Sequence, residues 1–168
     1  MKSKLKYFVI VLLAAVILIV AGCSSKQDSG NTNNENVVKN VNSDGSKITV
    51  ELYRSESCGC CVLYSEYIVD NGFDLDLKEV DDISTIKEKY NIPETLQSCH
   101  TSIIDGYFVE GHVPIEAINK LLTEKPQIKG IALPGMPSAS PGMPGGKNGD
   151  FVVYKVNNDG SIEEFMKI

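Results

Sequence analysis

The chain has 168 residues, of which 22 are acidic and 16 are Lys or Arg, giving a formal charge of −6. An acidic protein of this kind argues against nucleic acid as a partner, because phosphate binding needs clustered positive charge. The length suits one compact domain plus short accessory segments, and five cysteines with only two histidines mark where the chemistry lies.

Lys2, Lys4 and Lys6 precede an uninterrupted apolar stretch from Tyr7 to Ala21, the charged and hydrophobic regions of a secretory signal. The stretch is shorter than the ~20 residues that span a bilayer comfortably. It ends at Val20-Ala21-Gly22-Cys23, small residues before a cysteine that resemble the bacterial lipobox, where the sulfur receives a diacylglyceryl group and the chain is cut before it. Residues 1–22 therefore read as a lipoprotein signal peptide and Cys23 as the lipidated N-terminus. Cleavage would remove three lysines and no acid, taking the charge from −6 to −9. Acyl chains at Cys23, palmitate among them, would hold the protein on the cell membrane, facing outside the cytoplasm. Ser24 to Ser46 is rich in Ser, Asn, Gly and Asp, so residues 23–46 read as a lipidated, disordered tether spanning ~25–30 Å. Residues 47–168 remain as the folded domain.

Within that domain Ile48, Val50 and Leu52 alternate with polar residues, which predicts a strand. It leads into Cys58-Gly59-Cys60-Cys61, and Val62 to Val69 suits a helix that Asn71-Gly72 stops. Phe73, Leu75 and Leu77 alternate as a second strand. A helix follows, with Asp81 and Asp82 at its start, Ile83, Ile86 and Tyr90 on one face, and Ile92-Pro93 at its end. Thr101–Ile104 and Tyr107–Glu110 flank Asp105-Gly106, the dipeptide that favours a two-residue hairpin turn. Pro114 opens a helix whose apolar stripe is Ile115, Ile118, Leu121 and Leu122. Beyond Pro126 the repeated Gly-Met-Pro units at 135–137 and 142–144 predict a loop without regular structure, and Phe151–Val156 with Ile162–Met166 predict a final hairpin. The order β-α-β-α-β-β-α, with C-x-x-C at a helix start, resembles the thioredoxin and glutaredoxin architecture within the α/β class.

Cys58 and Cys61 have the C-x-x-C spacing, and a helix N-terminus favours the thiolate, which serves both disulfide exchange and soft-metal binding. Two bridges among the four remaining cysteines are disfavoured by the adjacency of Cys60 and Cys61, while a single Cys58–Cys61 bridge stays open. An oxidoreductase needs two thiols, and the third tilts the reading toward metal. Cys99-His100 falls just before the Thr101 strand, in the loop that faces C-x-x-C in thioredoxin-like proteins, and so adds a sulfur and an imidazole. Such donors suit Cu(I), zinc or iron–sulfur clusters. Met136 and Met143 offer soft neutral thioethers and favour copper, though loop methionines alone are ordinary packing or surface. His112, at the end of the second hairpin strand, is either an outlying ligand or a polar strand end. Buried thiols with a structural disulfide are the bland alternative.

Cys58-Gly-Cys-Cys61, Ser98-Cys99-His100-Thr101, Gly111-His112-Val113-Pro114 and Leu133-Pro134-Gly135-Met136-Pro137 arrive in that order. With them the chain resembles a bacterial family of predicted metal-binding proteins, domain of unknown function 411, over nearly all of residues 46–168. The resemblance implies a thioredoxin-like fold and a copper or heavy-metal role, with Cys58, Cys60, Cys61, Cys99 and His100 as ligands and His112, Met136 and Met143 as weaker additions. The function expected is membrane-anchored Cu(I) binding through Cys58, Cys61, Cys99 and either Cys60 or His100, for buffering, delivery or resistance, with a copper-handling protein as a further partner and no turnover. The alternative is a thiol–disulfide oxidoreductase with Cys58 attacking and Cys61 resolving.

Overall fold

The structure, a computed structural model, describes residues 40–168. The signal segment, Cys23 and the tether as far as residue 39 lie outside the described residues. Among the described residues no helix is long and apolar enough to cross a membrane.

Among the described residues seven strands form one sheet in the order β2-β1-β3-β4-β5-β6-β7. Strand β1 (Thr49–Arg54) runs parallel to β2 (Asp74–Glu79) through the crossover helix α1 (Gly59–Asp70), a connection that parallel strands require. After the short α2 (Ser84–Lys89), β3 (Thr101–Ile104) and β4 (Tyr107–Glu110) form the hairpin predicted at Asp105-Gly106, and β3 pairs antiparallel with β1. Helix α3 (Ile115–Glu124) crosses to β5 (Ile128–Ala132), which is parallel to β4. Strands β6 (Val152–Asn157) and β7 (Ile162–Lys167) complete the sheet as an antiparallel hairpin. The α/β class read from the sequence holds, and β1 through α3 follow the predicted order.

One sequence expectation is corrected. The stretch after Pro126 carries regular structure: β5 joins the core sheet to the C-terminal hairpin, and its signal is masked by Gly130, which packs so closely on Phe108 that an added Cβ would lie 2.2 Å from the Phe108 carbonyl oxygen. In α2 the buried residue is Lys87, while Ile83, Ile86 and Tyr90 are half-buried. A buried lysine needs a partner, and it finds one in Glu110. Within the stretch read as tether, Asn40 to Lys47 fold into a turn closed by a Val41–Lys47 bridge, and the Asn40 side chain donates to the Asn71 carbonyl at 2.8 Å.

The core lies where α1 and α3 cover the sheet. Val50 and Leu52 of β1, Tyr64 and Ile68 of α1, and Ala117, Ile118 and Leu121 of α3 are all fully buried. In α1 the buried positions are Cys61, Tyr64, Ser65 and Ile68, the i, i+3, i+4, i+7 spacing of a single helical face. Each large aliphatic or aromatic side chain buried in this way contributes about 1.5–3 kcal/mol. Helix α1 is therefore anchored by a buried face that begins at Cys61.

Candidate metal centre

Strand β1 ends at Arg54, whose guanidinium donates to Glu79 at 2.6 Å and to the Ser55 and Glu56 carbonyls at 3.1 Å each. These contacts shape the short loop that delivers Cys58 to the helix. Cys58 is the N-cap of α1, with no side-chain cap and no acidic residue in the first turn. The unpaired N–H groups of that turn leave its positive end facing the cysteines.

Cys58 and Cys61 are joined in a disulfide, while Cys60 and Cys99 are free thiols. The Cys60 sulfur lies 3.7 Å from that of Cys58 and 3.9 Å from that of Cys99. The ligand atoms of Cys58, Cys60, Cys61 and Cys99 all fall within 4.8 Å of one another, and so do those of Cys99, His100 and His112. Cys99 belongs to both groups. Two segments 38 to 41 residues apart in sequence thus meet at one helix terminus.

The sulfur of Cys99 is 3.0 Å from Nε2 of His112 and 3.3 Å from Nδ1 of His100. On the far side of the His112 ring, Nδ1 lies 2.6 Å from the Pro141 carbonyl oxygen. A carbonyl only accepts, so Nδ1 carries the proton and Nε2 presents its lone pair to Cys99. Burial, reinforced by the neighbouring Cys60, pushes the Cys99 thiol up to about 12. Cys99 is thus a protonated thiol that donates to His112, and a soft cation would displace that proton, with the Cys99 sulfur and His112 Nε2 as ligands. Burial also lowers the pKa of His112 and, together with the neighbouring His112 ring and the Lys87 ammonium, lowers that of His100 well below the ordinary range. Both rings are therefore neutral at pH 7, the form that ligates metals.

The two imidazoles meet edge to face at 4.8 Å, and the buried Tyr64 ring lies 4.4 Å from His100 and 5.5 Å from His112. Tyr64 is pinned in turn by a 3.0 Å hydrogen bond to the Val113 carbonyl. His100 Nε2 is buried without a hydrogen-bond partner among the described residues. A buried orphan of this kind costs about 1–3 kcal/mol, which a fold tolerates most readily at a functional site. Sulfur donors and neutral imidazoles fit a soft metal.

His112, read from the sequence as marginal, is in direct contact with Cys99. Sequence reasoning gave it only an outlying place among the ligands because its partners, Cys99 in the turn before β3 and Pro141 in a loop, are 13 and 29 residues away. The Gly-Met-Pro loop is seated by Gly142, whose φ is +79° and where an added Cβ would lie 2.8 Å from the Tyr64 nitrogen and 2.9 Å from the Cys60 carbonyl oxygen. This loop contributes the Pro141 carbonyl, a main-chain group that no motif reveals. Met136 is 42% exposed and Met143, next to Gly142, is half-buried.

Fold and site together define an α/β domain with a thiol–imidazole cluster able to hold a soft metal. The family model described as "Protein of unknown function, DUF411" matches residues 96–143, the segment that supplies Cys99, His100, His112 and Pro141. Among solved structures, "Copper resistance protein copG- Form 2" is 35% identical, with a TM-score of 0.68, over 72% of this chain and 98% of that one. "Copper resistance protein copG- Form 1" is also 35% identical, with a TM-score of 0.67, over 72% of this chain and 97% of that one. The chain belongs to the DUF411 family. The comparison with curated proteins returns no match.

Proposed function

We propose that this protein binds Cu(I) outside the cytoplasm, tethered to the membrane through lipidated Cys23, and that it serves copper buffering, delivery or resistance. The observation that carries this reading is the convergence on the Cys99 sulfur of Cys60, His100 and His112 at the N-terminus of α1. The names of the related structures, both copper resistance proteins, support copper over zinc. With Cys58 and Cys61 bridged, Cys60, Cys99, His100 and His112 are the available donors, and reduction adds two more thiols. Metal binding releases the Cys99 proton to solvent, His112 stays oriented by Pro141, and Tyr64 packs against both imidazoles.

Anaerobic titration of the reduced protein tests this reading. Near-stoichiometric Cu(I) uptake is expected, strongly weakened by Cys58→Ser and by Cys99→Ser, and unchanged affinity in both variants would defeat the site. For the tether, Cys23→Ala is expected to release the protein from the membrane fraction, and full retention of that variant would rule out the lipid anchor.

A second reading, thiol–disulfide exchange through Cys58 and Cys61, is favoured by one specific observation: those two residues form the disulfide. Its signature is insulin reduction that is lost in Cys61→Ser and insensitive to His100→Ala. Absence of exchange across ordinary redox buffers would exclude it.

A further inference from the structure

Beneath the cysteines and imidazoles lies a second polar cluster that ligates nothing. Glu110, the last residue of β4, is fully buried, and Lys87 of α2 is 3% exposed. They form an ion pair, and Lys87 also donates to the Thr101 hydroxyl at 3.3 Å. One Glu110 oxygen accepts the Ser98 backbone N–H at 2.6 Å as well, and the other accepts the Thr101 hydroxyl at 2.6 Å. Ser98 and Thr101 are the residues on either side of Cys99-His100. A single carboxylate therefore grips both ends of the segment that carries a thiol and an imidazole of the metal centre.

The same carboxylate stands two residues before His112. Between them, Gly111 donates its N–H to the His100 carbonyl at 3.0 Å. It packs so tightly that an added Cβ would lie 2.7 Å from both the Leu133 carbonyl oxygen and the Ser98 side chain. The Cys99–His100 segment and the His112 segment are thus locked to each other through Glu110 and Gly111. A buried ion pair is a poor way to gain stability, since apolar residues of similar volume usually serve as well. A fully satisfied buried network does fix one geometry.

We infer that Glu110, itself held by Lys87, is a positioning residue that sets the Cys99, His100 and His112 donor atoms at metal-binding separation. This rests on the reading of that cluster as a Cu(I) site. The Ser98 N–H has one acceptor here, and without it the segment is free to rotate Cys99 away from His112. Outer hydrogen-bonding partners of metal ligands typically change metal affinity by 10–100-fold when removed.

The test uses full-length protein, with Cu(I) affinity measured by competition against a chromophoric chelator and the thiolate-to-copper ultraviolet absorption recorded alongside. In the double variant K87M/E110L the clamp is replaced by apolar volume, and affinity is expected to fall about 10–100-fold with an altered absorption band. In K87M/E110Q a carbonyl still accepts the Ser98 N–H without a buried charge, and most of the affinity and the native band are expected to return. A folded K87M/E110L protein with wild-type affinity and absorption overturns the positioning role. Should that variant not fold, Thr101→Val removes one grip at nearly constant volume. It is then expected to lower affinity about 5-fold, and no change overturns the inference. Wild-type protein that takes up no Cu(I) overturns the copper reading itself, a separate result from uptake that is insensitive to the clamp.

Discussion

Gly142→Ala isolates what the Gly-Met-Pro loop does for the metal centre. The residue has φ +79°, and its missing Cβ would lie 2.8 Å from the Tyr64 nitrogen and 2.9 Å from the Cys60 carbonyl oxygen. The left-handed backbone costs an alanine about 1–2 kcal/mol, and forcing a methyl group into main-chain atoms adds about 1–3 kcal/mol. Against this stands the loop's hydrogen bond from His112 to Pro141, which contributes about 1 kcal/mol net. The strain exceeds the tie, so the loop is expected to lift from α1 rather than α1 to unfold. His112 then loses the carbonyl that fixes its tautomer, and Cu(I) affinity should fall roughly 10–100-fold while the thermal midpoint of the metal-free protein changes little. Chelator competition reads the affinity, and amide hydrogen exchange reads whether protection is lost at Met143 while persisting in α1. Wild-type affinity in a variant whose loop has lifted would refute the role assigned to Pro141.

Thiol counting and pH offer two further checks. On protein carrying Cys23→Ala, a thiol reagent under non-reducing denaturing conditions should find two free thiols, Cys60 and Cys99, and after reduction four, with Cys58 and Cys61 added; four before reduction would show the bridge absent. Because the Cys99 thiol stands at about 12, metal must displace its proton throughout pH 6–8, so apparent Cu(I) affinity should rise about tenfold per pH unit for that thiol. A flat profile would show that Cys99 is not a ligand. The metal-free fold should behave in a related way in acid, since His100 and His112 have lowered values in the folded state and take up protons in the unfolded chain below about 6.5. Unfolded protein then binds more protons than folded, so stability falls as pH drops below 6.5, by up to about 1.4 kcal/mol per unit for each histidine. Denaturant midpoints at pH 5 and 7 measure it.

Local chemistry made much of the architecture legible. The β3–β4 hairpin was readable because Asp105-Gly106 dictates its turn from two adjacent residues, and both take positive φ, 49° and 86°. Helix α3 was readable from a stripe of apolar residues at helical spacing. Strand β5 was not, since a five-residue segment with a central glycine becomes a strand only because β4 and β6 supply partners on either side. Nor was the burial of Lys87, which violates the pattern of its own helix and is explained only by a carboxylate 23 residues away.

By itself the sequence determined which candidate donors exist and their local spacing: thiols placed at a helix start, and a thiol next to an imidazole just before a strand. Side-chain chemistry and short spacings need no fold to be read. Tertiary structure alone decided that Cys99 would be the atom shared by both groups, that His112 would face it with one nitrogen bare, and that Glu110 would hold both ends of the segment between. Each of these depends on groups brought together from the start of α1, the turn before β3, the end of β4 and a distant loop, and contacts between such segments leave no periodic trace in the chain that makes them.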